Sequence, residues 1–160
     1  MYIVGELVLY GVHGVCKIIE QQVQKIDRKN VEYFVLEPVL QPGTRFFVPS
    51  QNEAALAKLR PILSRPEVDE LLASCAGMEA HWIEDENRRK LYYKELINSG
   101  DRAAMISVLR GLREHKMLQM ESGKKFHITD ANFMRDAEKI IYSELSIVLE
   151  IPYDQAEQYI

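Results

Sequence analysis

The sequence predicts an α+β chain, with a small β domain over residues 1–62 followed by an all-helical domain over residues 63–160. Three observations carry this. The first sixty residues are rich in β-branched and aromatic residues, set in short alternating runs between Gly, Pro and Asn/Asp turns. From Arg65 onward the apolar residues recur at helical spacing instead. The 160 residues, 47% hydrophobic and 28% charged, match a soluble globular chain long enough for two small units.

The strands come in order. Glu6-Leu-Val-Leu-Tyr10 is the first, ended by Gly11 and Gly14. Val15 to about Lys25 is the second, and Asp27-Arg-Lys-Asn30 is a polar turn. Val31 to Leu36 is a third strand closed by Pro38, and Pro42-Gly43 turns the chain into a fourth over Thr44–Val48, ending at Pro49. About five strands in so short a stretch suit an SH3-like or Tudor-like barrel, near the lower size limit for independent stability. In the second half, Pro66 suits the first turn of a helix running to about Ala76, which Gly77 breaks. A helix from about Trp82 to Asn98 ends at Ser99-Gly100. Asp101 caps the next, whose apolar stripe is Met105, Val108, Leu109 and Leu112. Residues 117–128 read as a loop. Thr129 caps a long helix with Phe133, Ala137, Ile140, Ile141, Leu145, Val148 and Leu149 on one side, interrupted at Pro152.

Several function classes find no support. No apolar run nears the ~18 residues of a membrane span, and Met1-Tyr-Ile-Val-Gly-Glu6 lacks the basic flank and apolar stretch of a secretory leader. Cys16 and Cys75 lie far apart and form no disulfide framework, so a cytoplasmic protein with reduced thiols is expected. His13-x-x-Cys16 and Cys75…His81 offer four possible ligands, but the second pair misses zinc spacing, so no metal or cofactor is expected. Nothing marks an orienting group or oxyanion pocket for a Cys/His nucleophile, and an enzyme is not expected.

Charge is distributed unevenly. The net charge of −4 disfavours indiscriminate nucleic-acid binding. Yet residues 86–125 hold ten Lys/Arg against five acids, while residues 130–160 hold two bases against seven acids. The basic block is either a local footprint for phosphates or a solvated helix face with i,i+4 ion pairs. Trp82, the only tryptophan, precedes Arg88-Arg89-Lys90. Such a ring is either a packing anchor or an apolar wedge at a distorted base step, with the cations on phosphates. The Ser99-Gly100-Asp101 link makes a tight helix-turn-helix, but Arg102-Ala-Ala-Met is poor for reading a major groove, so sequence-specific recognition is disfavoured. The strand pair Glu32–Leu36 and Phe46–Pro49 supplies barrel core, and an exposed edge there suits a partner added as a strand.

The order of these motifs resembles the CarD/CdnL family of bacterial transcription regulators. Gly5-Glu-Leu-Val-Leu-Tyr10-Gly-Val-His13-Gly14 is similar to that family's opening. Glu32-Tyr33-Phe-Val-Leu36 with Phe47-Val-Pro49 and Asn52 is the second match. Trp82 through Arg88-Arg89, Ser99-Gly100-Asp101 and Ser143-Glu144-Leu145 complete it, over about residues 3–150. The resemblance implies a Tudor-like N-terminal module, shared with transcription-repair coupling factors, that binds the β subunit of RNA polymerase by edge-strand pairing and polar contacts. It implies a helical half at the upstream edge of the transcription bubble, where a tryptophan wedges into the minor groove, basic residues touch the backbone and the open complex is stabilised. Polymerase contacts are then expected at Tyr33, Val35, Arg45, Phe47 and Pro49, and DNA contacts at Trp82, Arg88, Arg89, Lys90, Lys94, Lys124 and Lys125. Aligned on Ser99-Gly100-Asp101, Glu86 stands where some members carry the tryptophan, and Trp82 lies about one turn earlier. Phe47 stands where some carry an arginine, the nearest base being Arg45. The competing reading is a protein-interaction adaptor whose barrel binds another partner and whose helices are scaffold.

Overall fold

A computed structural model describes residues 1–160. The chain is α+β and divides into two compact units, Met1–Ile62 and Leu63–Ile160. No helix is long and apolar enough to cross a membrane.

The first unit is one antiparallel sheet. Strands β1 (Leu7–Tyr10), β2 (Val15–Ile26), β3 (Lys29–Pro38), β4 (Phe46–Pro49) and β5 (Leu59–Pro61) lie in the order β4-β3-β2-β1-β5. A short helix α1 (Glu53–Leu56) precedes β5, capped by Asn52, whose Oδ1 accepts from the Ala55 N–H at 3.1 Å. No ladder joins β4 to β5, so the barrel-like sheet stays open and both are edge strands. Alternate residues of each strand meet in one core: Val8, Cys16, Ile18, Phe34, Leu36, Val48 and Leu59. An irregularity between Ile18 and Glu20 bends β2 where it leaves this core. The turn expected over Asp27–Asn30 is only two residues long. Asp27 and Arg28 both have positive φ, 49° and 65°, while Lys29 and Asn30 already pair with Ile26 and Lys25. Pro38 closes β3 as expected: it is the last residue of the ladder, opposite Cys16.

The second unit holds α2 (Arg65–Cys75), α3 (Glu86–Ser99), α4 (Arg102–Glu121), α5 (Ile128–Val148) and a C-terminal 3-10 helix, Tyr153–Tyr159. Ser64 and Glu67 start α2 with a reciprocal capping box. Asp85 caps α3 and Asp101 caps α4, each accepting a backbone N–H from its helix, and Gly100 ends α3 with φ 68°. The expected stripes are buried: Met105, Val108, Leu109 and Leu112 on α4, and Phe133, Ala137, Ile140, Ile141 and Leu145 on α5. Three boundaries move. Helix α3 begins four residues after Trp82, which lies in the preceding loop. Helix α4 runs to Glu121, well into the expected loop. The cap of α5 is His127, whose side chain accepts from the Thr129 N–H at 3.3 Å, and not Thr129 itself.

Candidate functional site

In the sheet unit the candidate surface is the open edge of β4. Its register against β3 is Tyr33↔Pro49, Phe34↔Val48, Val35↔Phe47 and Leu36↔Phe46. The Ser50 N–H donates to the Glu32 carbonyl at 2.9 Å, which makes Glu32–Ser50 a hydrogen-bonded pair. Such pairs alternate along an antiparallel ladder, so Phe47 is a non-hydrogen-bonded position and its N–H and C=O face outward. Pro49, the other such position, offers only its C=O. Phe47 is 47% exposed, and its ring meets Tyr33 edge to face with centroids 6.5 Å apart. Arg45 is exposed, and Tyr33 and Pro49 are half-buried. The structure thus places Tyr33, Arg45, Phe47 and Pro49 together at one edge. It corrects the expectation for Val35, which is fully buried and belongs to an interior strand, so its side chain is out of a partner's reach. His13, considered above as a ligand, packs instead in an aromatic group with Tyr10 and Phe46, at centroid distances of 5.3 and 4.1 Å.

In the helical unit the basic block separates into inward and outward members. Arg89 is 7% exposed. Its Nε and Nη2 donate to the two carboxylate oxygens of Asp130 at 2.8 and 3.3 Å, and its Nη1 to the Ile83 and Glu84 carbonyls. Tyr93 donates to the same carboxylate at 2.7 Å, and its ring stacks on Phe133 at 4.0 Å. Burial, with Asp130 alongside, pushes the Tyr93 hydroxyl well above its ordinary pKa, so it remains a donor. Arg102 makes a two-point pair with Glu144, which also accepts from the Leu63 N–H at 2.9 Å. Arg110 donates to the carbonyls of Cys75 and Met78, where α2 ends. Arg113 reaches Glu157 at 3.6 Å and the Ile160 carbonyl at 3.4 Å.

The outward cations are Arg88, Lys90, Lys94, Lys116, Lys124 and Lys125, all exposed. Lys90 pairs with Glu86 at 3.0 Å, and that carboxylate also faces His127 Nε2 at 3.4 Å. The Lys90 hydrogen bond is the main cause that holds the Glu86 carboxyl below its usual pKa. These contacts gather the start of α3 and the start of α5 at one end of the unit. Lys116 over the Phe126 ring, at 5.6 Å, brings the end of α4 to the same loop.

Trp82 is held and not free. The loop that carries it runs along α4 on a stripe of residues four apart. Ser107 donates to the Glu79 carbonyl at 2.8 Å and accepts, through its own carbonyl, from the His81 N–H at 3.0 Å. Gly111 comes next, and a Cβ there would sit 2.1 Å from the His81 carbonyl oxygen, so only glycine lets the loop lie this close. His115 follows, its ring stacked on Trp82 with centroids 3.8 Å apart and planes 17° from parallel. The Arg89 guanidinium lies over the same indole, 4.4 Å from its centroid. Two planar groups that close to one centroid clash if they share a face, so they occupy both. The indole N–H donates to Glu84 at 3.1 Å. The structure therefore corrects two expected DNA contacts: Arg89 is buried in an ion pair, and Trp82 is a packed anchor presenting only its rim. Sequence reading missed Asp130 and Glu144 as the buried partners of these arginines. Glu144 had a signal, a carboxylate set among the apolar residues of the last helix; Asp130 had none beyond its place in a first turn.

Residues 2–63 match the family model of the CarD-like/TRCF RID domain, and residues 70–160 match that of the CarD C-terminal domain. No curated protein matches the chain.

Proposed function

The chain belongs to the CarD-like family of transcription factors, and from that premise we propose that it binds the β subunit of bacterial RNA polymerase and stabilises the promoter open complex, in the cytoplasm and without catalysis or cofactor. The sheet unit docks through the β4 edge. The outward N–H and C=O of Phe47 pair with a strand of the partner, and Tyr33, Arg45 and Pro49 surround that contact. The helical unit meets DNA near the upstream edge of the bubble through Arg88, Lys90, Lys94, Lys124 and Lys125, without reading sequence. With a net charge of −4 and few free cations, the isolated protein binds duplex DNA weakly, and tethering to polymerase raises the local DNA concentration enough for these contacts to count.

The observation that carries this reading is an exposed edge strand in the unit matched by the RID model. The test uses the full chain as bait in a bacterial lysate. Polymerase core subunits are expected in the eluate, and Phe47→Pro should remove them more completely than Phe47→Ala, because proline deletes the outward N–H. Recovery of some other partner in place of polymerase selects the adaptor reading. Equal retention by Phe47→Pro and the parent chain removes β4 from the interface.

A further inference from the structure

We propose that the far end of α4 docks, through Met117, Leu118 and Met120, in an apolar socket rimmed by basic residues on the polymerase holoenzyme. The inference rests on the polymerase reading above and adds a second protein contact, made by the helical unit.

The last residue that α4 buries is Leu112, yet the helix runs on to Glu121. Met117, Leu118 and Met120 on this extension are 63%, 61% and 65% exposed. A single exposed apolar residue is ordinary on a protein surface; three within four positions of one helix form a patch that asks for a partner. An unsupported helix end frays, but this one is closed. The Gly123 N–H, at φ 71°, donates to the Met120 carbonyl at 3.1 Å, and the Lys124 N–H to the Gln119 carbonyl at 2.8 Å. Those two bonds make a Schellman motif, which satisfies the last carbonyls and keeps the final turns helical. The three side chains are thereby held in place, and a preorganised group loses less entropy on docking.

Charge selects the occupant. At about 100° per residue, Met120, Met117 and Leu118 span about 160° of the helix. Glu121 and Glu114 fall inside that arc, one turn after and one turn before, and both are exposed. Lys116, beside Met120, directs its ammonium over the Phe126 ring instead. DNA laid here would set phosphates against two carboxylates. A protein surface with Lys or Arg beside an apolar socket complements both the acids and the apolar side chains. Helix-in-groove docking uses anchors three residues apart, as Met117 and Met120 are, and the flexible thioether fills pockets of irregular shape. The three side chains expose on the order of a few hundred Å², well under the ~800 Å² per partner of a stable interface. That is too little to hold a second copy or a free partner. It suffices on the assembly to which the sheet unit already tethers the chain, where the second contact forms at high effective concentration.

The experiment uses the full chain with polymerase holoenzyme, alone and at one promoter. Benzoylphenylalanine in place of Leu118 should crosslink, on irradiation, to a Lys- or Arg-bearing peptide of a polymerase subunit. Met117→Gln combined with Met120→Gln keeps the helix propensity. It should weaken holoenzyme binding roughly tenfold, the scale of losing a buried apolar side chain, and leave the melting temperature unchanged. Glu114→Lys combined with Glu121→Lys should weaken binding as well. A crosslink to DNA or to a second copy of the chain overturns the proposal. So does a longer open-complex lifetime for the glutamate reversal, which would make phosphates the occupant. A drop in melting temperature for the glutamine pair also overturns it, since it makes the methionines packing residues. Phe47→Pro, measured alongside, separates this contact from the reading it rests on. Polymerase lost by Phe47→Pro but kept in full by the glutamine pair leaves the β4 docking standing and removes the α4 socket. No polymerase bound by the parent chain removes both.

Discussion

The sheet unit is fixed by apolar residues that alternate along neighbouring strands, whereas the helical unit adds to its buried apolar stripes charged pairs between residues far apart in the chain. The sheet core, from Val8 to Leu59, contains no ionisable carboxylate or base. The helical unit buries Arg89 with Asp130 and closes Arg102 over Glu144, pairs separated by 41 and 42 residues. One consequence is that a stretch's formal charge is a poor measure of the charge it shows to solvent. Four of the ten cations in residues 86–125, all arginines, are spent on internal carboxylates and carbonyls. Every lysine of that block is exposed. The guanidinium's planar fork and weaker hydration favour arginine for two-point buried pairs, whereas a lysine ammonium stays in water. The apparent phosphate footprint therefore shrinks to a lysine-rich surface plus Arg88.

The largest expected effect tests whether the buried ion pair really has the place in the helices that apolar burial has in the sheet. Asp130→Ala leaves the Arg89 charge and the Tyr93 hydroxyl without their acceptor. Breaking one side of a buried pair costs about 3–5 kcal/mol. That matches the ~2–5 kcal/mol expected of truncating a core leucine or isoleucine such as Leu36 or Ile18. Since Trp82 is the only tryptophan, its fluorescence follows the unfolding of the helical unit alone. Denaturant titration of Asp130→Ala should show an early transition by fluorescence. A midpoint like the parent's would mean that Asp130 is dispensable, and the contrast between the two units would collapse.

Trp82→Ala comes next and sharpens the contrast at one residue. A wholly buried Trp truncation costs about 3–5 kcal/mol; Trp82 is only partly buried, so a loss of about 2–3 kcal/mol is expected, from the His115 stack, the Arg89 contact and the anchoring of the loop to α4. Circular-dichroism melts should register it, while the polymerase binding proposed for the sheet unit should stay intact. An unchanged melt together with a shortened open-complex lifetime would restore Trp82 as a DNA contact.

How much of this was legible depends on the range of the interaction. Strand alternation, caps such as Asp101 and the C-terminal Gly100 act within a few residues, and the sequence shows them directly. The hairpin turn at Asp27-Arg28 was misplaced because neither residue is the glycine or asparagine that usually marks two successive positive φ values. The family resemblance puts Val35 among the polymerase contacts, but Phe34, Val35 and Leu36 are all buried, so β3 is covered on both faces there. The Trp82 loop was read as helix because its docking depends on Ser107, Gly111 and His115 of α4, which lie at least 25 residues downstream of Trp82 and carry no local mark of that role. Among the candidate site residues, the lysines, Arg45 and Arg88 are exposed and only Arg89 is turned inward, since composition does not say which cation meets a buried acid.

The smallest expected effect belongs to a carboxylate that lacks what Asp130 and Glu144 have. Glu138 on α5 is partly buried and holds no hydrogen bond. Burial pushes its pKa up from the ordinary 4.5, Arg113 and Lys116 pull it down, and Glu157 pushes it up, with a net rise. Because the folded pKa exceeds the unfolded one, the fold prefers the neutral form. The stability this group contributes is complete below the ordinary value and is lost as pH climbs through the folded pKa. At neutral pH the ionised side chain is therefore a liability, discounted by its partial solvation to roughly a few tenths of a kcal/mol. Glu138→Gln should melt slightly higher than the parent at pH 7, and the gap should close near pH 4. Asp130→Asn, by contrast, should melt lower than the parent at pH 7, since there a paired carboxylate is removed. If Glu138→Gln also melts lower at pH 7, then Arg113 compensates Glu138 as fully as Arg89 compensates Asp130, and every buried carboxylate of the helical unit is a paired one.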